Sequence, residues 1–216
     1  MQVLNFQEFG KEGIKVLKVS PDSFVQMAIQ LTFSGMHNCP AATYESAATR
    51  IFKEGRTEVI RSCSLEAVNF VKTMQDKNQS ILQKQEALYK AIKAHNSYAR
   101  SASKGYGVDR HLQGLKMAAL ELSLPVPGLY QDPGYTRSSR MRLSTSQISS
   151  KYSAACCYGP LENDGYGTSY SIGSNNLLFS VSALRSDGST NAKEFAHHLG
   201  ANLQDMYDLC ATKSKL

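Results

Sequence analysis

Three lysines near the start of the chain have the spacing of an anion-binding site. Lys11, Lys15 and Lys18 lie between a strand-like segment and Ser20-Pro21, a pair typical of a helix start. Ammonium groups just ahead of a helix amino terminus can surround one polyanion, because the free N–H groups there also favour negative charge. The alternative is a solvated basic loop, since runs of charge are most often plain surface.

Two short motifs carry other groups that can act on a ligand. The hydroxyls of Ser144-Thr145-Ser146 follow an alternating segment and can bond a ligand or a developing oxyanion, although an ordinary polar strand end has the same composition. In Asp109-Arg110-His111 the aspartate has the features of a helix cap. The arginine is either surface charge or a guanidinium aimed at a carboxylate. Composition and spacing leave these alternatives open.

Several classes of site are not indicated. The sequence has no P-loop, no dinucleotide fingerprint and no Ser/His/Asp order. Its five cysteines form no C-x-x-C pair, and the adjacent His197-His198 cannot face one way on a helix. We therefore expect no metal and no disulfide framework.

The overall composition limits the kinds of ligand that the chain is expected to bind. The chain has 216 residues, 42% of them hydrophobic, and a formal net charge of +6. The basic residues are scattered without a block of five or six, so we expect an anionic small molecule rather than nucleic acid. No apolar run approaches the ~18 residues of a membrane span, so no span is expected.

Periodicity predicts one α/β domain built from mixed helices and strands. Asp109 is predicted to cap a helix, segment 43–52 to be strand or extended loop, and 54–62 to be loop. Residues 124–140, rich in proline and glycine, are predicted to be an exposed connector. The predicted strands are 3–9, 141–146, 153–158, 167–172 and 177–184. The other predicted helices run from the Ser20 cap to Gly35, from Ser64 to about Met74, over 83–103 and over 191–210.

Six motifs together resemble the choline/carnitine acyltransferase family. They are FGKEGIK (9–15), SPDSF (20–24), TYESAATRIFKEGRTEVIRS (43–62), DRHLQGL (109–115), LSTSQ (143–147) and GPLENDGYG (159–167). They occur in family order, and residues 1–216 correspond to the C-terminal portion of much longer members. The resemblance implies a mixed sheet flanked by helices, like that of chloramphenicol acetyltransferase.

The resemblance also implies a function and its substrate contacts. The family moves an acyl group reversibly between coenzyme A and carnitine, with coenzyme A as a substrate and no bound cofactor. The coenzyme contacts carried over are Lys11, Lys15, Ser20, Asp22 and Gln147. The carnitine contacts carried over are Tyr44, Ser46, Thr57, Arg110 and Tyr158.

Two further roles complete the implied site. Ser146 matches the serine that hydrogen-bonds the reacting centre. Cys156 matches the position that gates the acyl chain, and its intermediate volume predicts short- to medium-chain transfer. In choline-specific relatives the equivalents of Thr57 and Arg110 differ, so these two residues favour carnitine.

Two departures from the family leave a second interpretation open. The catalytic base is a histidine upstream of the matched portion, and none of the five histidines here occupies its motif. Asn96 stands where relatives often have an arginine near coenzyme A. The alternatives are therefore a portion of an active enzyme, or an inactive short form that binds coenzyme A or a protein partner. The terminal Ser214-Lys215-Leu216 predicts recognition by the peroxisomal import receptor.

Overall fold

A computed structural model describes residues 1–148 and 155–212, and one mixed sheet runs through its centre. Its strands are β1 (Gln2–Phe6), β2 (Thr43–Ala48), β3 (Thr57–Ile60), β4 (Leu143–Gln147), β5 (Tyr166–Ile172) and β6 (Leu177–Ser182). Their spatial order is β1-β6-β5-β4-β2-β3. The β2–β4 and β4–β5 pairs are parallel, whereas the other three are antiparallel.

Helices flank this sheet, as the resemblance implied. They are α1 (Lys11–Val16), α2 (Pro21–His37), α3 (Leu65–Gln75), α4 (Ile81–Ser103), α5 (Asp109–Glu121), α6 (Pro133–Ser139) and α7 (Ala192–Ala211), with a 3-10 helix at Gly128–Gln131. Helix α2 is the central one, because every side chain from Ser23 to Phe33 is buried. Its Phe24 and Phe33 pack with Phe179 of β6 and Phe195 of α7 in one hydrophobic core. Within the described ranges no helix is both long and apolar enough to cross a membrane.

Capping residues place most helix starts where the sequence predicts them. The Ser20 hydroxyl accepts a hydrogen bond from the N–H of Ser23, and the Ser64 hydroxyl accepts one from Ala67. Helix α4 begins two residues earlier than predicted because Ser80 and Gln83 form a reciprocal capping box. Helix α2 continues past Gly35 to His37 and is capped by Asn38, which adopts the left-handed conformation with φ 53°.

The amino-terminal strand is shorter than predicted. It ends at Phe6, and Phe9 turns inward to stack on Tyr207 of α7 at 4.4 Å between ring centroids. Gly10 then meets the turn at 173–176 so closely that a Cβ there would lie 2.4 Å from the Asn176 nitrogen. The short helix α1 follows at once, so Lys11 and Lys15 lie in a helix and not in a loop.

Three further predictions about local structure are wrong. The predicted loop 54–62 contains β3, which completes a hairpin with β2. Residues 155–158 do not form a strand, because their carbonyls bond side chains: Ser169 donates to Cys156 and Ser182 donates to Tyr158. The rest of the predicted strand 153–158 lies outside the described residues. Asp109 is the first helical residue of α5 and not its cap, since its carboxylate binds Arg61.

Candidate functional site

Four of the predicted carnitine-binding residues meet on one face of the sheet. Strand alternation directs Tyr44, Ser46 and Thr57 to that face, and Arg110 reaches it from the start of α5. The Arg110 Nη2 lies 3.4 Å from both the Tyr44 hydroxyl and the Thr57 hydroxyl. The Ser46 hydroxyl lies 3.4 Å from that of Tyr44. We call these four residues the Arg110 cluster.

The backbone around Arg110 holds its guanidinium in place. The buried Glu58 carboxylate accepts the Arg110 N–H at 3.3 Å, and Arg110 Nε donates to the Thr57 carbonyl at 3.1 Å. This contact needs a glycine opposite Glu58, because a Cβ on Gly107 would lie 2.2 Å from the Glu58 Cγ. Glu58 therefore supplies the first turn of α5 with the acceptor that no capping side chain provides.

An ion pair fixes the same helix start. Arg61, just after β3, donates to the Asp109 carboxylate from Nε at 3.0 Å and from Nη2 at 2.7 Å. Its Nη1 donates to the Ser138 carbonyl at 2.8 Å. The pair is half-buried and two-pronged, a geometry that fixes orientation as well as adding energy. Arg110 is thus held from the strand side and from the helix side.

Ser146 lies on the same face as the Arg110 cluster. Tyr44 of β2 pairs with Ser144 of β4, and Ser146 is two residues further along β4, so alternation directs all three to one side. The partly buried Ser146 is therefore available to a ligand seated beside Arg110. Its hydrogen bond to the reacting centre, which the resemblance implies, stays a prediction.

Tyr158 is held over the neighbouring strands. Its hydroxyl lies 3.0 Å from the Ser144 carbonyl and 3.1 Å from the Thr168 carbonyl, and burial raises its pKa, so the hydroxyl remains a donor. The chain crosses β5 closely here, because a Cβ on Gly167 would lie 2.6 Å from the Tyr158 carbonyl oxygen. The adjacent Cys156 is exposed and outside any strand. Its role as an acyl gate stays a prediction.

The side chains of the predicted coenzyme residues, all of them in the described ranges, make no hydrogen bond with one another. Lys11 and Lys15 are exposed on α1, and Lys15 pairs with Glu12 at 3.3 Å. Ser20 caps α2, and Asp22 accepts the Tyr170 hydroxyl at 2.6 Å. Gln147 pairs with Tyr170 at the carboxyl end of β4, on the sheet face opposite Ser146.

A buried network lies beneath the Arg110 cluster, and the motifs did not predict it. His95 of α4 lies 2.8 Å from the Ser23 hydroxyl through Nδ1 and 2.6 Å from the Glu45 carboxylate through Nε2. Ser62 donates to the same carboxylate, and Ser23 donates to Asn96 at 3.0 Å. Glu45 sits between Tyr44 and Ser46, so the network anchors the strand that carries the cluster.

The charges of this network are set by burial and pairing. Burial raises the pKa of Glu45. Burial would lower the pKa of His95, but the hydrogen bond and charge of Glu45 outweigh it and raise that pKa. The pair therefore retains one proton between Nε2 and the carboxylate. Asp22 is close enough to join them in a metal cluster, but 2.6 Å between the His95 and Glu45 atoms is a hydrogen bond, shorter than two ligands of one zinc ion allow.

The histidines of the described region do not supply a base to the Arg110 cluster through a hydrogen bond. His95 is buried on the other face, and His37 bonds the Tyr166 hydroxyl at 3.1 Å. His111, His197 and His198 are exposed on α5 and α7. The cluster can thus bind a carboxylate through a guanidinium and hydroxyls, with Ser146 placed beside it.

Comparisons with known proteins show the family of the chain. The model of the choline/carnitine O-acyltransferase family matches residues 1–201. Carnitine O-acetyltransferase of Columba livia is 42% identical over 216 residues, which are 99% of this chain and 34% of that protein. The human carnitine O-acetyltransferase is 42% identical over 94% of this chain and 33% of its own length. A choline O-acetyltransferase of Danio rerio is also 42% identical, over 97% of this chain and 33% of its own length.

A solved structure shows the same fold at low sequence identity. It is described as a condensation domain that mediates chain release from the enacyloxin polyketide synthase. It matches with a TM-score of 0.52 and 12% identity, covering 99% of this chain and 42% of that one. The chain spans about a third of the length of the curated relatives it matches. On the family match and these identities, the chain belongs to the choline/carnitine O-acyltransferase family.

Proposed function

We propose that this chain forms the carnitine- and coenzyme A-binding portion of a carnitine O-acyltransferase. The observation that carries the proposal is the Arg110 cluster, in which a guanidinium and two hydroxyls converge on one point. Carnitine has a carboxylate to place there, whereas choline has none. A planar guanidinium paired with a carboxylate gives charged, oriented recognition, so the cluster supports carnitine.

The reaction follows from the groups on this face and from one group that the family resemblance places upstream. Arg110, Tyr44 and Thr57 hold the carnitine carboxylate, so its hydroxyl lies toward Ser146. An upstream histidine removes the proton of that hydroxyl, and its oxygen attacks the thioester carbonyl to form a tetrahedral intermediate. The carbon–sulfur bond then breaks, and the histidine returns the proton to the coenzyme A sulfur. The Ser146 hydroxyl donates a hydrogen bond to the oxygen that gains charge.

The separation of β2 and β4 supports an approach of the thioester from the sheet face opposite the Arg110 cluster. In the described part of the chain, the ladder between β2 and β4 ends at Glu45 and Thr145, although both strands continue. Ligands of such sheets bind at the carboxyl ends of parallel strands. The coenzyme candidates Asp22 and Gln147 lie on the far side of this opening from Ser146. We infer that the acyl group crosses there.

The chain length of the acyl group is the finer part of the proposal. Cysteine at position 156 is smaller than methionine and larger than glycine, so a gate there blocks the longest chains only partly. Each methylene in an apolar pocket changes binding by about 0.8 kcal/mol. We propose short- to medium-chain substrates, with octanoyl transfer falling more than acetyl transfer in a Cys156→Met variant.

The second candidate is a short form without turnover that binds coenzyme A or a protein partner. The observation that favours it is that no histidine in the described ranges hydrogen-bonds the Arg110 cluster. The two candidates share the substrate sites and differ in whether a histidine is supplied to them.

A chimera tests the proposed enzyme function. This chain would replace the matching portion of the human carnitine O-acetyltransferase, with which it is 42% identical over 204 residues. We expect the chimera to transfer acetyl groups to carnitine at least tenfold better than to choline. A folded chimera that prefers choline would contradict the proposal, and a thermal melt establishes that it is folded.

We also propose that the protein is delivered to peroxisomes. The support is the terminal Ser214-Lys215-Leu216, which lies outside the described residues. A fluorescent protein fused to the amino terminus should give punctate fluorescence with a peroxisomal marker, and deletion of the three residues should make it diffuse. Unchanged fluorescence after deletion would show that the tripeptide is not the signal.

A further inference from the structure

A basic cleft opens between the α1–α2 junction and helix α4. One wall is Lys18, Val19 and Ser20, and the other is a face of α4. Its volume is about 560 Å³, in the range of pockets for small molecules and cofactors. Ser20 is the one predicted coenzyme residue among those that line it.

The charge of the cleft is positive and uncompensated. Lys18, Lys93 and Arg100 line it, and no acidic residue does. Throughout the described ranges, none of these three cations lies within 4.0 Å of a carboxylate. Cations gathered without acidic partners favour an anionic ligand.

Helical spacing places the α4 residues of the cleft in one row. Tyr89, Lys93, Asn96 and Arg100 follow one another at intervals of four, three and four residues, and therefore share a face. The Asn96 oxygen already accepts the Ser23 hydroxyl at 3.0 Å. The side-chain amide of Asn96 is neutral and is held by Ser23. The positive charge on this part of the face comes from Arg100, one helical turn further along α4.

We propose that Arg100, with Lys18 and Lys93 beside it, binds a phosphate of coenzyme A in this cleft. The inference rests on the proposed function and adds three residues to its coenzyme site. The guanidinium presents two parallel N–H donors that match a phosphate, which a lysine cannot do. Tyr89 at the end of the row offers a ring on which the adenine base stacks.

Calorimetric titration of the whole chain tests the proposal. The ligands are coenzyme A, 3′-dephospho-coenzyme A, inorganic phosphate and pantetheine, which lacks phosphate. The matched variants are Arg100→Gln and Arg185→Gln, because Arg185 is exposed in the segment after β6 and loses the same charge. We expect Arg100→Gln to raise the Kd for coenzyme A at least tenfold, with pantetheine unchanged and Arg185→Gln like the original chain.

The different ligands and variants distinguish a wrong role for Arg100 from a wrong coenzyme site. If the original chain binds coenzyme A and Arg100→Gln binds it equally well, the role of Arg100 is overturned while the proposed function stands. If Arg100→Gln weakens pantetheine as much as coenzyme A, the residue does not act on phosphate and the inference fails. If the original chain binds no coenzyme A, the coenzyme site of the proposed function fails as well. If Arg100→Gln weakens the binding of both coenzyme A and 3′-dephospho-coenzyme A, Arg100 contacts the diphosphate. If it weakens the binding of coenzyme A alone, Arg100 contacts the 3′-phosphate. Titration of inorganic phosphate tests whether that anion alone is enough for binding.

Discussion

At the residue scale, burial separates polar groups that hold the fold from those free for a ligand. Glu45 and His95 are 2% and 3% exposed, and each satisfies the other. Thr57 and Arg110 are exposed, and the contact between their side chains, 3.4 Å from Nη2 to the hydroxyl, is long enough for a carboxylate to replace. Buried polar groups are paired because an unpaired one costs about 1–3 kcal/mol, so we expect a ligand to bind at the exposed groups with the long contact.

The His95–Glu45 pair predicts a pH-dependent stability. The pKa of His95 is raised above its ordinary 6.5, so the folded chain holds the proton more tightly than the unfolded chain. The stabilisation is therefore complete below about pH 6.5 and is lost as pH rises through the folded-state pKa. His95→Gln should lower the free energy of unfolding by about 3–5 kcal/mol at pH 6, because it leaves Glu45 without its partner.

Urea unfolding at pH 6 and pH 9 measures this effect. The difference in stability between the original chain and His95→Gln should shrink at the higher pH. His198→Gln, on the exposed face of α7, is the control and should change neither value. An equal difference at both pH values would show that the pair holds no proton that the unfolded chain has lost.

The sequence contains a pattern that indicates a buried position for His95, although no family motif includes this residue. Leu88, Ala91 and Ile92 form an apolar stripe on α4, and His95 continues it at helical spacing. A polar residue on such a stripe is buried and needs a partner. The partner, Glu45, lies 50 residues away in sequence, and the pairing depends on how α4 packs against β2. Periodicity does not determine that packing.

At the element scale, α5 is positioned by β3 through a contact only glycine allows. A Cβ on Gly107 would lie 2.2 Å from Glu58, whereas a Cβ on Gly114, within α5, would have nothing within 4 Å. Gly107→Ala should therefore displace Glu58, destabilise the chain by about 1–3 kcal/mol and weaken carnitine binding. Gly114→Ala should stabilise it by up to about 1 kcal/mol, because alanine favours helix.

Thermal unfolding and carnitine titration of the two variants check this prediction. They carry the same chemical change on the same short stretch of chain, so a difference between them reports the Glu58 contact. If Gly107→Ala is as stable as Gly114→Ala and binds carnitine equally well, Glu58 does not position Arg110.

The elements divide into those that local sequence determines and those that tertiary contacts determine. Ser20 and Ser64 begin helices as predicted because capping depends on neighbours three residues away. Asp109 resembles a cap equally well, but Arg61 takes its carboxylate. Segment 155–158 alternates like a strand, yet β4 pairs directly with β5 and the segment lies over them. The sequence of one segment does not show which distant residues will compete for its hydrogen-bonding groups.

At the scale of the whole molecule, no histidine in the described part of the chain hydrogen-bonds the Arg110 cluster. We predict no acyl transfer to carnitine from acetyl-CoA or octanoyl-CoA by the 216-residue chain. A thiol-release assay measures it, with the human carnitine O-acetyltransferase as positive control. Turnover of about 1 s⁻¹ or more, in the ordinary range of enzymes, would mean that a histidine of this chain acts as the base.

The proposed function requires the Arg110 cluster to bind the carboxylate of carnitine. Titration of carnitine and choline into the original chain, Arg110→Gln and Arg137→Gln tests it most directly, because Arg137 is an exposed arginine of α6 that loses the same charge. We expect the original chain and Arg137→Gln to bind carnitine more tightly than choline. Arg110→Gln should bind carnitine at least tenfold more weakly, with choline unchanged, since a charge-assisted hydrogen bond contributes about 1.5–3 kcal/mol. Equal binding of carnitine by all three proteins, or tighter binding of choline by the original chain, would show that Arg110 does not bind the carboxylate of carnitine.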